Sequence, residues 1–97
     1  MPTYISLVNY TDQGIRNVKD SPKRLDAAKK LLKDMGGEMK AFYLTMGAYD
    51  IVTVAEAPND ESVAKFVLAL ASSGNVRTTT MKAFPEADYR KLIAGLP

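Results

Sequence analysis

Side chains alternate from Thr3 to Tyr10, with Ile5 and Leu7 on one side and Tyr4, Ser6, Val8 and Tyr10 on the other. That two-residue period predicts a first strand. Thr11-Asp12-Gln13-Gly14 then interrupts it with turn-prone residues. After the turn the period changes. Leu25, Ala28, Leu32 and Met35 recur at helical spacing with Leu31 beside them, so one apolar stripe runs along a first helix. Ser21 stands where an N-cap belongs and Pro22 at the first helical position, while Gly36-Gly37 supplies a left-handed stop. From Lys40 to Met46, Phe42, Leu44 and Met46 alternate with Ala41, Tyr43 and Thr45, giving a second strand. A tight turn at Gly47-Ala48 leads into a third strand from Tyr49 to Ala57.

Pro58-Asn59-Asp60-Glu61 opens a second helix, with Asn59 as cap and two acids at the positive end of the helix dipole. Val63, Phe66, Val67 and Leu70 form its core stripe, and Ser72-Ser73-Gly74-Asn75 ends it. Ala64, Leu68 and Ala71 widen the apolar arc, either toward the tail helix or another subunit or as ordinary exposed residues. Val76 to Phe84 reads as a fourth strand rich in β-branched residues. A tail helix begins near Pro85 and carries Tyr89, Leu92, Ile93 and Leu96 on one face. No linker or low-complexity stretch divides residues 1–97, so one domain is expected.

Right-handed crossovers in this β-α-β-β-α-β order predict an α+β, ferredoxin-like sandwich. Its four-stranded antiparallel sheet carries two helices on one face, and a short C-terminal helix follows. The alternation is read with Ile5, Leu7, Phe42, Leu44, Met46, Val52 and Val54 beneath the helices. Tyr4, Ser6, Val8, Tyr10, Tyr43, Thr45, Tyr49, Ile51, Thr53 and Ala55 are then expected on the far face. A face that apolar and aromatic usually marks an interface or a pocket. Two copies are therefore expected to stack sheet on sheet as a dimeric α/β barrel, with any small-molecule cavity between them. A merely solvated sheet face is the simpler alternative.

Composition narrows the chemistry. The 97 residues include 13 Lys+Arg and 11 Asp+Glu, a formal net charge of +2, with 46% hydrophobic and 25% charged residues, an ordinary globular balance. Cys, His and Trp are absent. Cysteine and histidine nucleophile dyads, imidazole bases, structural zinc and disulfides go with them. No cofactor, metal or catalytic residue is expected. Lys23, Lys29, Lys30 and Lys33 share the solvent arc of the first helix, with Asp26 and Asp34 flanking Lys30, so a solvated face outweighs nucleic-acid binding. Glu56, Asp60 and Glu61 cluster where a helix start favours acids, which argues against a hard-cation site. The N-terminus has no basic leader, and no stretch approaches the roughly 18 apolar residues of a membrane span. With no cysteine to oxidise, a cytoplasmic location is expected.

Gly47-Ala48-Tyr49-Asp50, joining the second and third strands, resembles the Gly-x-Tyr-Asp signature of the GYD domain family of small bacterial proteins. Its neighbours agree along essentially the whole chain: Tyr10-Thr11-Asp12-Gln13-Gly14-Ile15, Glu56-Ala57-Pro58 and Gly74-Asn75-Val76-Arg77-Thr78-Thr79-Thr80. The resemblance implies a dimeric α/β barrel without an assigned reaction. A similar hairpin occurs in the effector-binding domains of leucine-responsive regulators, where small ligands bind between subunits; that is analogy.

Tyr49, Asp50, Tyr4, Tyr43, Thr45 and Arg77 are the candidate ligand-contacting residues. For Tyr49 and Asp50, turn fixation with dimer packing stands beside ligand contact. Asp50 is expected to point toward the helices and to accept turn or helix N–H groups. Pro2 as a secondary-amine base is outweighed by its place ahead of the first strand. The favoured function is a non-enzymatic homo-oligomeric module, with a small molecule in its intersubunit cleft. The alternative is a cofactor-free monooxygenase or isomerase acting on a small organic substrate there. Enzymes of that kind depend on a His, Asn or Trp in the cavity. Asn9 is the one Asn in a predicted strand, and the same alternation sends it to the helix side.

Overall fold

A computed structural model describes Met1–Pro97. Its strands are β1 (Thr3–Tyr10), β2 (Glu38–Leu44), β3 (Ile51–Glu56) and β4 (Val76–Ala83). The helices are α1 (Asp12–Arg16), α2 (Ser21–Asp34), α3 (Asp60–Ser72) and α4 (Glu86–Ala94). The strands form one antiparallel sheet in the order β2-β3-β1-β4. Two strand-helix-strand units interleaved in this way are the ferredoxin-like fold read from the sequence.

The helix stripes are where their spacing put them. Leu32 is almost fully enclosed, and Leu25, Ala28, Leu31 and Met35 are half-buried along the same side of α2. Val63 and Phe66 are buried on α3, with Val67 and Leu70 beside them. Asn59 caps α3 by accepting the Ser62 N–H at 2.9 Å. Gly36, at φ 87°, ends α2.

The start of α2 differs from expectation. The chain enters it through a short 3-10 turn, Val18–Asp20, so Ser21 is already helical and caps nothing. The cap falls earlier: Thr11 accepts the Gly14 N–H at 3.0 Å and opens α1, a helix the turn-prone residues conceal. Glycine is required inside it. A Cβ on Gly14 would sit 2.0 Å from the Asn75 carbonyl oxygen, because α1 lies directly on the loop before β4.

The sheet faces are the reverse of the expectation for β1 and β3. Tyr4, Val8, Ile51 and Thr53 are buried beneath the helices, whereas Ile5, Leu7, Val52 and Val54 are only half-buried on the open face. Both parities of these strands are apolar, so alternation alone does not choose between them. Polar ties mark the covered side: the Tyr4 hydroxyl reaches Asp60 on α3, the Ser6 and Thr80 hydroxyls pair at 2.8 Å in rows shared with Thr53 and Ala55, and Ala57 is completely enclosed. Asn9 moves with Ile5 and Leu7 to the open face.

On β2 the predicted sides hold, since Phe42 and Leu44 pair with Thr53 and Ile51, and Tyr43 pairs with Val52. Yet the helices do not reach the end of this edge strand. Leu44 is 72% exposed and Met46 is fully exposed, so neither joins the core as expected. A register irregularity between Met39 and Ala41 bends the strand at Lys40.

Candidate functional site

The Gly-x-Tyr-Asp segment is a six-residue loop, 45–50, in place of the two-residue turn expected. Thr45 closes it: its N–H donates to the Asp50 carbonyl at 2.8 Å and its hydroxyl to the Tyr49 carbonyl at 2.7 Å. Gly47 sits at φ 141°, which a side chain would resist. Asp50 then ties the loop to β1. Its N–H donates to the Val8 carbonyl at 2.9 Å, and its carboxylate accepts the Tyr10 N–H at 2.9 Å. That carboxylate satisfies the backbone at the end of β1, not a helix N-terminus.

Tyr4 lies at the other end of β1 and beneath the helices, which removes it from the open face. Its hydroxyl donates to the Asp60 carboxylate at the start of α3, and Lys82 approaches the same carboxylate at 3.7 Å. Burial above all, then the hydrogen bond to Asp60 and that carboxylate's charge, push the Tyr4 hydroxyl up to about 12. It holds its proton, as a donor anchoring sheet to helix.

Of the six candidates, Tyr43 and Arg77 are exposed on the open face, Tyr49, Asp50 and Thr45 build the loop at its end, and Tyr4 is elsewhere. The register arranges the open face in transverse rows. Tyr43, Val52, Leu7 and Thr79 form one; Ala41, Val54, Ile5 and Met81 form the next. Asn9 pairs with Arg77 at the loop end, and Thr3 with Glu56 and Ala83 at the other. The face is thus an apolar centre with polar residues at both ends. The sequence left Met81 and Thr79 unplaced, and alternation put Asn9 on the opposite face. Their signal was pairing to the strand beside them, which needs the register.

Lys30 meets Asp34 at 3.6 Å on the solvent arc of α2. Two surface grooves, one along Phe84, Asp88, Lys91, Leu92 and Gly95 and one along Pro2, Pro58 to Glu61 and Lys82, include none of the six candidates. No three acidic side chains converge as a metal cage would require. No helix is long and apolar enough to cross a membrane.

Fold and hairpin together define a small α+β domain of the ferredoxin-like kind, with one sheet face covered and one open. The chain matches the GYD domain over residues 4–93 and belongs to that family. It is 41% identical, over 99% of both chains, to a Thermus thermophilus protein named glutamine synthetase and cystathionine beta-lyase binding protein. Among solved structures it resembles a feast or famine regulatory protein from M. tuberculosis, complexed with L-methionine, with a TM-score of 0.66 and 14% identity. That match covers 88% of this chain and 51% of the regulator, so the chain spans about half the regulator's length. A solved structure from Thermus thermophilus matches with a TM-score of 0.56 and 22% identity over 88% of this chain and 95% of the other. These structural likenesses bear on the fold.

Proposed function

We propose that the protein is a non-enzymatic, homo-oligomeric binding module in which two copies pack their open sheet faces together as an α/β barrel. The observation that carries this reading is the row structure of that face, where Ile5, Leu7, Val52, Val54 and Met81 form a contiguous apolar surface. Patches of that kind are interaction sites in soluble proteins. Two members of the candidate set support the reading too. Tyr4 and Asp50 are spent on holding β1 to α3 and to the hairpin, which leaves them as structural ties.

The partner follows from the relative at 41% identity. We read this chain as binding an enzyme of amino-acid metabolism of the kinds in that relative's name. A second reading has one observation in its favour: Asn9, Arg77, Tyr43 and the hairpin stand at the polar end of the open face. Stacking two sheets would line a cleft there with groups able to hold a small polar molecule such as an amino acid.

Sedimentation equilibrium on the purified chain and on Met81→Glu tests the assembly. A dimer that the substitution dissociates is expected, and a wild-type monomer overturns it. Surface-immobilised protein exposed to purified glutamine synthetase and cystathionine beta-lyase tests the partner. Saturable binding of at least one is expected, and retention of neither removes the enzyme-partner reading. Titration with amino acids by calorimetry decides the second.

A further inference from the structure

Every residue from Phe84 to Pro97 is exposed, although Phe84, Tyr89, Leu92, Ile93 and Leu96 make up much of that segment. Tyr89, Leu92 and Ile93 form one face of α4, Leu96 follows just past its end, and an Arg90–Glu86 ion pair at 2.9 Å borders that face. An amphipathic helix of nine residues has little stability of its own, since isolated helices below about 12 residues are marginal in water. Its apolar face requires a partner surface that its own chain does not supply.

The dimensions point the same way. A compact chain of 10.6 kDa exposes about 5,500 Å². This one exposes 6705 Å², an excess of roughly 1,200 Å². One side of a stable interface buries about 800 Å². The radius of gyration is 14.6 Å where about 12.5 Å suits this length, and the longest extent is 51 Å. The excess is an arm.

We propose that α4 is an exchanged arm: its Tyr89, Leu92 and Ile93 face, with Leu96 just beyond it, packs on a second copy of this chain, at the border of that copy's open sheet. This rests on the face-to-face dimer above and specifies how it is locked. Continuity selects the occupant. Met81 and Ala83 belong to the open-face rows, Phe84 follows them, and α4 begins two residues later, so the arm leaves from the margin of the open face, with Glu86 and Asp88 between Phe84 and Tyr89. A copy seated on the face meets the arm projecting from its β4 border. The groove of about 450 Å³ between Phe84 and α4, lined also by Asp88, Lys91, Leu92 and Gly95, is then filled by the second copy.

The natural chain has no cysteine, so one introduced thiol carries a unique label. Leu92→Cys, Tyr43→Cys on the open face and Lys29→Cys on the solvent arc of α2 are each coupled to a benzophenone maleimide and irradiated. Covalent dimers from Leu92→Cys and Tyr43→Cys are expected, with none from Lys29→Cys. Dimers from Tyr43→Cys but only intrachain adducts from Leu92→Cys would overturn the arm and leave the face-to-face dimer standing. No dimer from either, with a sedimenting monomer, removes both. Leu92→Glu supplies an independent measure, because an exposed side chain can be charged without disturbing the monomer fold. At least a tenfold rise in the dimer dissociation constant is expected, and an unchanged constant counts against the arm.

Discussion

Gly14 shows how much a single missing side chain can fix. With only 2.0 Å between the position of an added methyl group and a backbone oxygen, the Gly14→Ala protein has to shift either α1 or the loop at Asn75. Overpacking of that kind costs about 1–3 kcal/mol, and urea unfolding of Gly14→Ala is expected to show a loss in that range. Tyr4 carries a pH signature. Its folded-state value of about 12 lies above the ordinary 10.0, so the folded chain keeps the proton where the unfolded chain gives it up. Its stabilising contribution is complete below pH 10 and is lost as pH rises through 12. The stability difference between wild type and Tyr4→Phe, measured by denaturant unfolding, should be flat below pH 10 and shrink above it. Neither role is legible in the sequence. Gly14 looks like any turn glycine and Tyr4 like an ordinary strand aromatic, because each is defined by a partner about 60 residues away: Asn75 for one, Asp60 for the other.

Whole elements were easier to read. The stripes of α2 and α3 and the Asn59 cap follow from spacing and local chemistry, and local chemistry is all that a helix needs to declare itself. Boundaries around the hairpin were harder. Thr45 and Asp50 keep backbone bonds across the strand ends while their side chains tie down the loop, and period-two counting does not register where the strands stop. Asp50 accordingly has a measurable structural share. Asp50→Ala strands the Tyr10 N–H and should cost about 1–3 kcal/mol in thermal or urea unfolding, whereas Asp50→Asn retains an acceptor and should cost less. Equal losses would mean that charge, not the bond to β1, is what the position supplies.

At the scale of the molecule the fold class was legible and the sidedness of its sheet was not. The order of elements fixes a ferredoxin-like topology once crossovers are right-handed. Sidedness needed long-range information, namely that the Tyr4 hydroxyl reaches Asp60 on α3 and that the Ser6 and Thr80 hydroxyls satisfy each other on the helix side. The reversal makes the open face more apolar than alternation alone had it, which strengthens the case for association. If folding and pairing are linked, the midpoint of thermal unfolding should rise with protein concentration by mass action. Scanning calorimetry across a hundredfold range of concentration checks this, and a constant midpoint would count against linkage.

The sheet also has two rims, β2 and β4, whose backbone groups face outward. β2 carries Glu38 and Lys40, ion-paired at 3.1 Å, beside the irregularity at Lys40, and β4 carries Arg77 and Lys82. Charge and a bent backbone on a rim discourage a stranger's strand from joining it. One face is already roofed by α2 and α3. Growth by lengthening the sheet is therefore opposed at both margins while stacking is possible on one side alone, so this architecture favours a finite particle over a fibre.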